Sequence, residues 1–444
     1  MMKPLSLHPD NPHYFMFRGE PAVLITSGEH YGAVLNRAFD FIPYLDALAH
    51  SGFNLTRVFS GVYRELPGSH GIMDNTLAPA TGDFLCPWAS RTHGGAEMFD
   101  LSKWDPAYFS RLKDFVRAAG ERGIVVEVVL FCFWYNDELW QASPMHPRNN
   151  GGATEDVPRN KVYSLDTPRL LKVQEAVTRA IVKELGGFDN VYFEISNENY
   201  SNHDGTAYLD WSNHIADVIT DAERSLPDRH LIAFNAQNRF MRVKDLHPAV
   251  SIINFHYAEP AAVHLNYHLD RVVADDETGF KGQTCAPYRR EAWEFMLCGG
   301  GAVSHLDYSF TAEHPDGTHV VRNETPGYGG PEWRAQLAVL KRFIESFEFV
   351  KLAPHPEVAE AGKRDGMTTW CLAEHGKQYA LYCWGGGMRS TLHLGLAPGA
   401  YTLEMINPST GSVMRREEFD HACGLKRVDT PIYTEDLAVR IKSR

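Results

Sequence analysis

Long apolar runs, signal-like beginnings and cysteine pairs are all scarce in this 444-residue chain. No stretch of about 18 apolar residues occurs, so nothing in it is read as spanning a membrane. The opening "MMKPLSLHPDNPHYFMF" lacks a charged segment followed by an apolar core, so it does not read as a secretory signal. The 7 cysteines (86, 132, 285, 298, 371, 383 and 423) form an odd set without Cys-x-x-Cys spacing. That suits reduced, mostly buried thiols, and a cytoplasmic location is expected. Basic clusters are missing too: 43 Lys and Arg stand against 56 Asp and Glu, a net charge of −13. Nucleic acid is therefore excluded as an expected partner, and the acidic excess reads as a solvated surface. No Gly-x-Gly-x-x-Gly follows any strand, which argues against an open doubly wound sheet, and neither internal repeats nor low-complexity segments appear.

What the chain does contain is ordinary globular composition, 44% hydrophobic and 22% charged. Its length predicts one large domain with an accessory one. After the hairpin-like "YFMFRGEPAVLITSGEHYG", apolar runs of strand length alternate with helical patterns. Eight strands are expected at 22–28, 54–60, 124–133, 191–196, 230–236, 251–257, 271–277 and 301–309. The intervening "DPAYFSRLKDFVRAAGERG" shows the punctuation of a helix, with Asp105 as N-cap and Pro106 at the first position. "TPRLLKVQEAVTRAIVKELGG" and "PEWRAQLAVLKRFIESFEFV" read the same way. The alternation predicts a (β/α)8 TIM barrel over 1–355, including the N-terminal hairpin. From 356 to 444, short alternating strands such as "MTTWCLAE", "QYALYCWGGG" and "GAYTLEMINPSTGSV" predict an antiparallel β-sandwich. There, Trp370 and Trp384 read as core in preference to a sugar platform.

Chemistry in such a barrel sits at the carboxyl ends of the strands, walled by long loops, here 61–103 and 135–164. "FEISNEN" ends the fourth strand on Asn197 and Glu198, and "ADDETGF" ends the seventh on Glu277. Two carboxylates converging from non-adjacent strands fit glycoside cleavage with retention, which needs them about 5–5.5 Å apart, one protonated and one attacking. The negative neighbour should push the acid's pKa up. Asn197 is placed to hydrogen-bond a sugar hydroxyl. Asp275 and Asp276 are rival nucleophiles; strand alternation puts Asp275 with Glu277 and Asp276 on the opposite face.

With "EISNEN" and "DDETGF" on those strands, the sequence resembles the clan A retaining glycoside hydrolases, particularly glycoside hydrolase family 5 and its cellulase-like bacterial relatives. The resemblance covers about residues 14–350, and "FDLSKWDPAYFSRLKDFVRAAGERGIVVEVVLF" has the look of the third unit in those relatives. It implies that Glu198 is the acid/base and Glu277 the nucleophile, that Arg57 orients the nucleophile, and that His256 and Tyr257 line the cleft, Tyr257 bonding Glu277. Departures stand at strand three, where "FCFWYN" replaces the usual His, and at strand eight, where "HLDYSF" offers Asp307 or Tyr308 instead of Trp. Trp134 is then the expected ring of the inner sugar subsite. His30 and Glu29 after strand one divide between substrate contact and structure, and Asp307 between sugar contact and capping.

The expected activity is retaining hydrolysis of a β-linked oligosaccharide or glycoside, with carbohydrate as the partner and neither cofactor nor metal. Two rivals stay open. With 21 histidines a metal-dependent barrel hydrolase is one, although His-x-His after strand one and His-Glu-x-x-His are both missing. A non-catalytic carbohydrate-binding barrel is the other. Sugar, linkage and oligomeric state are not written in these motifs.

Overall fold

The computed structural model describes residues 3–444 apart from 94–95, 202–206, 227, 323, 360–365 and 386–388. Eight parallel strands form one sheet: β1 (Leu24–Gly28), β2 (Leu55–Phe59), β3 (Val125–Cys132), β4 (Val191–Asn197), β5 (Ile232–Asn238), β6 (Val250–His256), β7 (Val272–Thr278) and β8 (Ala302–Leu306). They pair in the order β1-β8-β7-β6-β5-β4-β3-β2. Asn54 bridges the remaining gap: its side chain accepts from Ile25 N (3.0 Å) and donates to Val23 O (2.8 Å). The result is the expected (β/α)8 TIM barrel, and all eight expected strands overlap these.

Among the described residues helices follow seven strands, one of them Pro106–Glu121, whose N-cap Asp105 accepts from Ala107 N as its sequence predicts. The connection 239–249 between β5 and β6 carries none. Asn266 organises it instead, accepting from Val243 N and donating to Met241 O.

The barrel interior is layered by the two-residue period of its strands. At the amino ends, Leu24, Leu55, Val125, Ile252 and Val272 share one apolar cluster with Leu5 and Phe15. Those last two come from the three short antiparallel strands of the N-terminus, which plug this end. One step up, the layer is polar and charged, with Arg57, Glu127, Glu194, Asn254 and Asp276 all buried. The mouth lies above it.

At the C-terminus a six-stranded antiparallel sheet and a two-stranded one build the β-sandwich. The last two glycines of the run 378–387 lie outside the described residues. Trp370 and Trp384 are half-buried, and both indoles donate to Glu294 Oε1 on the barrel helix Cys285–Leu297. Arg289 of that helix pairs with Asp436 at 2.7 Å. These tryptophans are therefore occupied by the contact with the barrel. Among the described residues no helix is long and apolar enough to cross a membrane.

Candidate active site

At the carboxyl ends of the strands lies a cavity of about 230 Å³ with Glu198 and Glu277 in its lining. Glu198 follows β4 directly. Its backbone takes a left-handed φ of +51° while its N–H donates to Asn235 Oδ1 at 3.0 Å. Tyr31, His70, Tyr257 and Phe280, which also line the cavity, share left-handed φ values of +50° to +60°. Backbone strain of roughly 1–2 kcal/mol per such residue is thus concentrated around one opening.

The two carboxylates approach with one oxygen of each within 4.8 Å of the other, and within 4.8 Å of a nitrogen of His256. Their holders differ. Glu277 accepts from Tyr257 OH on Oε1 (2.7 Å) and from Tyr31 OH (3.0 Å) and Arg57 Nη1 (3.4 Å) on Oε2. Glu198 accepts from Tyr135 OH on Oε2 (2.5 Å) and from Tyr200 OH on Oε1 (2.9 Å). His256 Nδ1 lies 2.9 Å from Glu198 Oε1 and 3.5 Å from Glu277 Oε1.

Electrostatics here reverse one expectation. Burial pushes Glu198 up, but the His256 cation and the two phenol donors outweigh it and hold the carboxyl at about 2. Burial likewise pulls His256 down, yet Glu277, Asp276 and Glu198 raise it to about 10. The neighbouring negative charge therefore does not raise Glu198, because the His256 cation stands between the carboxylates.

Beneath the mouth, Arg57 anchors the charged layer. Its guanidinium donates to Glu194 from Nε (3.0 Å) and Nη2 (2.5 Å), and to Asn197 Oδ1 (2.8 Å). Asp276 Oδ2 lies 3.4 Å from Arg57 Nε and accepts from Asn254 at 2.6 Å. Asp276 Oδ1 and His256 Nε2 face each other at 3.5 Å, both without a hydrogen-bond partner among the described residues. Burial pushes Asp276 up to about 7 against the pull of Arg57 and His256. Burial also raises Glu127 well above its ordinary range, with Asp276 and Glu194 adding to it.

No protein-family model and no curated protein sequence matches the chain. Solved structures do. A glycoside hydrolase family 5 structure from Bacteroides vulgatus aligns with a TM-score of 0.66 at 13% identity, over 99% of this chain and 92% of that one. A second glycoside hydrolase aligns at 0.66 and 12% identity, over 99% and 97%. A family 30 subfamily 8 xylanase from Clostridium acetobutylicum aligns at 0.53 and 10% identity, over 99% and 100%. The chain has the fold of these glycoside hydrolases.

Within that fold, Asn197, Glu198, Tyr257, Glu277 and His30 line the cavity, with Arg57 and His256 directly behind. Three expected residues stand elsewhere. Trp134 is fully buried against Tyr63 and Trp140, and the next ring, Tyr135, turns into the cavity. Asp307 is bound to Arg334 at 2.7 Å and accepts from Ser27, Ser309 and Gly330 N, so it secures the end of β8. Tyr308 is buried against His30, outside the lining. Glu29 accepts from Gly32 N, Ala33 N and Thr76, and so holds the loop after β1.

A bulge corrects the side assignment on β7. The pairing of β6 with β7 steps from Phe255–Asp275 to His256–Glu277, skipping Asp276. The extra residue turns Asp276 into the barrel while Glu277 still reaches the mouth, and Asp275 caps Ala258 N on the other face. Sequence reasoning also missed Tyr31, Tyr135, Tyr200 and the wall formed by Glu65 and His70 from the loop after β2. Glu127 and Glu194 carried a readable signal, a lone acid at the centre of an apolar strand.

Proposed function

We propose that the chain is a retaining glycoside hydrolase acting on a β-linked glycoside, with Glu277 as nucleophile and Glu198 as acid/base. The observation that carries this reading is the close approach of two mouth carboxylates with unequal partners. An oxygen–oxygen approach within 4.8 Å accords with the retaining range of about 5–5.5 Å, not the ~6.5–9.5 Å that leaves room for an inverting water. The shared fold of glycoside hydrolases supports it.

Glu198 and His256 together retain one proton across neutral pH, and in the free protein it rests on His256 Nδ1, aimed at Glu198 Oε1. The glycosidic oxygen, drawn to Glu198, takes that proton through the carboxyl as Glu277 bonds to the anomeric carbon; the bond from that carbon to the glycosidic oxygen breaks, and the aglycone departs as an alcohol. Formation of the ester removes the charge on Glu277, which is the foremost influence holding the proton on His256. Attack and proton release are thereby coupled. In the second half, Glu198 takes a proton from water, the water attacks the anomeric carbon, and Glu277 leaves as carboxylate. Asp276, 3.5 Å behind Nε2, favours the cationic imidazole through its charge.

The cavity is smaller than the ~300–1,000 Å³ of drug-sized sites, which favours a pocket for a terminal sugar over an open groove. Hydrolysis of aryl β-monoglycosides without internal cleavage of a long polysaccharide is the expected pattern. Glu198, His256 and Glu277 also meet at metal-ligand range. One feature favours the acid pair: four phenols already donate to the two carboxylates and occupy lone pairs that an ion would need. A panel of aryl β-glycosides, assayed with and without chelator, tests the reading beside Glu198→Gln and Glu277→Gln. Chelator-insensitive turnover that both substitutions abolish supports it; no turnover on any sugar favours a binding protein.

A further inference from the structure

Far from the mouth, three side chains of ligand type converge where the chain leaves its last barrel helix, Pro331–Glu345. His355 Nδ1 lies 2.7 Å from Glu357 Oε1 and 3.1 Å from His375 Nε2. His375 Nε2 lies 3.7 Å from the same Glu357 oxygen. The backbone builds this convergence. His355 N donates to Cys371 O at 2.9 Å, while Ala353 and Pro354 pair with Ala373 and Leu372. The strands Met367–Glu374 and Gln378–Gly385 then turn back through His375 and Gly376, whose φ of +80° makes the turn tight.

Hydrogen bonding alone serves this trio poorly. Nδ1 of His355 faces a carboxylate and a second ring nitrogen at once, and one proton cannot satisfy both of those contacts. A cation in front of the three atoms serves each of them. Separations of 2.7, 3.1 and 3.7 Å leave a point roughly 2 Å from every corner, which matches Zn–N and Zn–O bonds of ~2.0–2.2 Å. Two imidazoles and a carboxylate are a donor set suited to zinc, and the partial exposure of all three side chains leaves a fourth position for water.

We propose that His355, Glu357 and His375 form a zinc site that clips the segment leaving the barrel to the first hairpin of the C-terminal sheet. The trio lies outside the catalytic reading and does not depend on it. Zinc bound there stabilises the folded chain, since the unfolded chain lacks the convergence.

The test is calorimetric titration of ZnCl2 into the chelator-treated 444-residue chain, with His355→Ala, His375→Ala and Glu198→Gln alongside. The expected result is one ion per wild-type chain and a zinc-dependent rise in Tm. Each histidine substitution should weaken uptake at least about tenfold, as loss of one of three ligands requires, and abolish the rise in Tm. Glu198→Gln should bind zinc as the wild type does. Absence of uptake by the wild type overturns the proposal. So does uptake that survives both histidine substitutions or disappears in Glu198→Gln.

Discussion

His256 Nδ1 stands between the two mouth carboxylates, 2.9 Å from Glu198 Oε1 and 3.5 Å from Glu277 Oε1. One cation is thus in contact with both groups to which the proposed chemistry gives unequal roles. The proton held by the Glu198–His256 pair is lost only as pH rises through the histidine's value of about 10. The alkaline limb of kcat/KM should therefore fall near pH 10. In His256→Asn the carboxyl of Glu198 loses the cation that holds it down, and burial, which raises it, takes over. Its own titration then sets a lower alkaline limb. The check is the pH dependence of kcat/KM on an aryl glycoside for both proteins.

Asp276 carries a stability signature of its own. Its value is about 7 in the folded chain against 3.8 unfolded, so between those pH values the folded chain keeps a proton that the unfolded chain has released. Stability from this group is present below pH 3.8 and declines as pH rises towards 7. Asp276→Asn removes the decline, so its Tm should gain on the wild type as pH goes from 5 to 8. The same substitution takes one negative charge from behind His256 and should shift the alkaline limb downward. Thermal scans across pH, paired with rate profiles, measure both.

Tyr257 and Tyr31 hold opposite oxygens of Glu277 at 2.7 and 3.0 Å. Hydrogen bonds to charged groups contribute about 1.5–3 kcal/mol, so each Tyr→Phe change should lower kcat/KM by roughly 10- to 100-fold. Because both phenols bind one carboxylate, the double variant should fall short of the product of the single effects. A double-mutant cycle on kcat/KM reads this directly.

Arg57 is the counter-ion of the buried layer, paired with Glu194, Asp276 and Glu277. Arg57→Met leaves those carboxylates uncompensated and should cost about 3–5 kcal/mol. Lysine should rescue little, since it lacks the fork that reaches Glu194 and Asn197 together. Urea unfolding of the three proteins decides it.

Much of this architecture was legible because buried parallel strands are short apolar runs bounded by turn residues, and because barrel chemistry gathers where those runs end. "FEISNEN" and "ADDETGF" announced Glu198 and Glu277 on that ground alone. Asp276 was misplaced because alternation holds only while a strand stays regular, and a bulge leaves no fixed mark in composition. Trp134 and Tyr135 stand just past the end of β3, where the loop's course decides which ring turns inward. Tyr31 escaped notice for a similar reason: its left-handed φ, which turns the phenol to Glu277, belongs to a loop without period. The helix absent between β5 and β6 is replaced by side-chain bonds from Asn266, a contact between distant residues. The proton-holding role proposed for His256 needed three-dimensional proximity, since Glu277, Asp276 and Glu198, which favour its charge, lie on other strands.

The central claim is that Glu277 becomes covalently bonded to the sugar. Incubation with 2-deoxy-2-fluoro β-glycosides, followed by mass analysis of peptides, should find one sugar per chain attached to Glu277, and no label in Glu277→Gln. Label on Asp275 or Asp276, or turnover that releases the sugar with inverted anomeric configuration, would contradict the account.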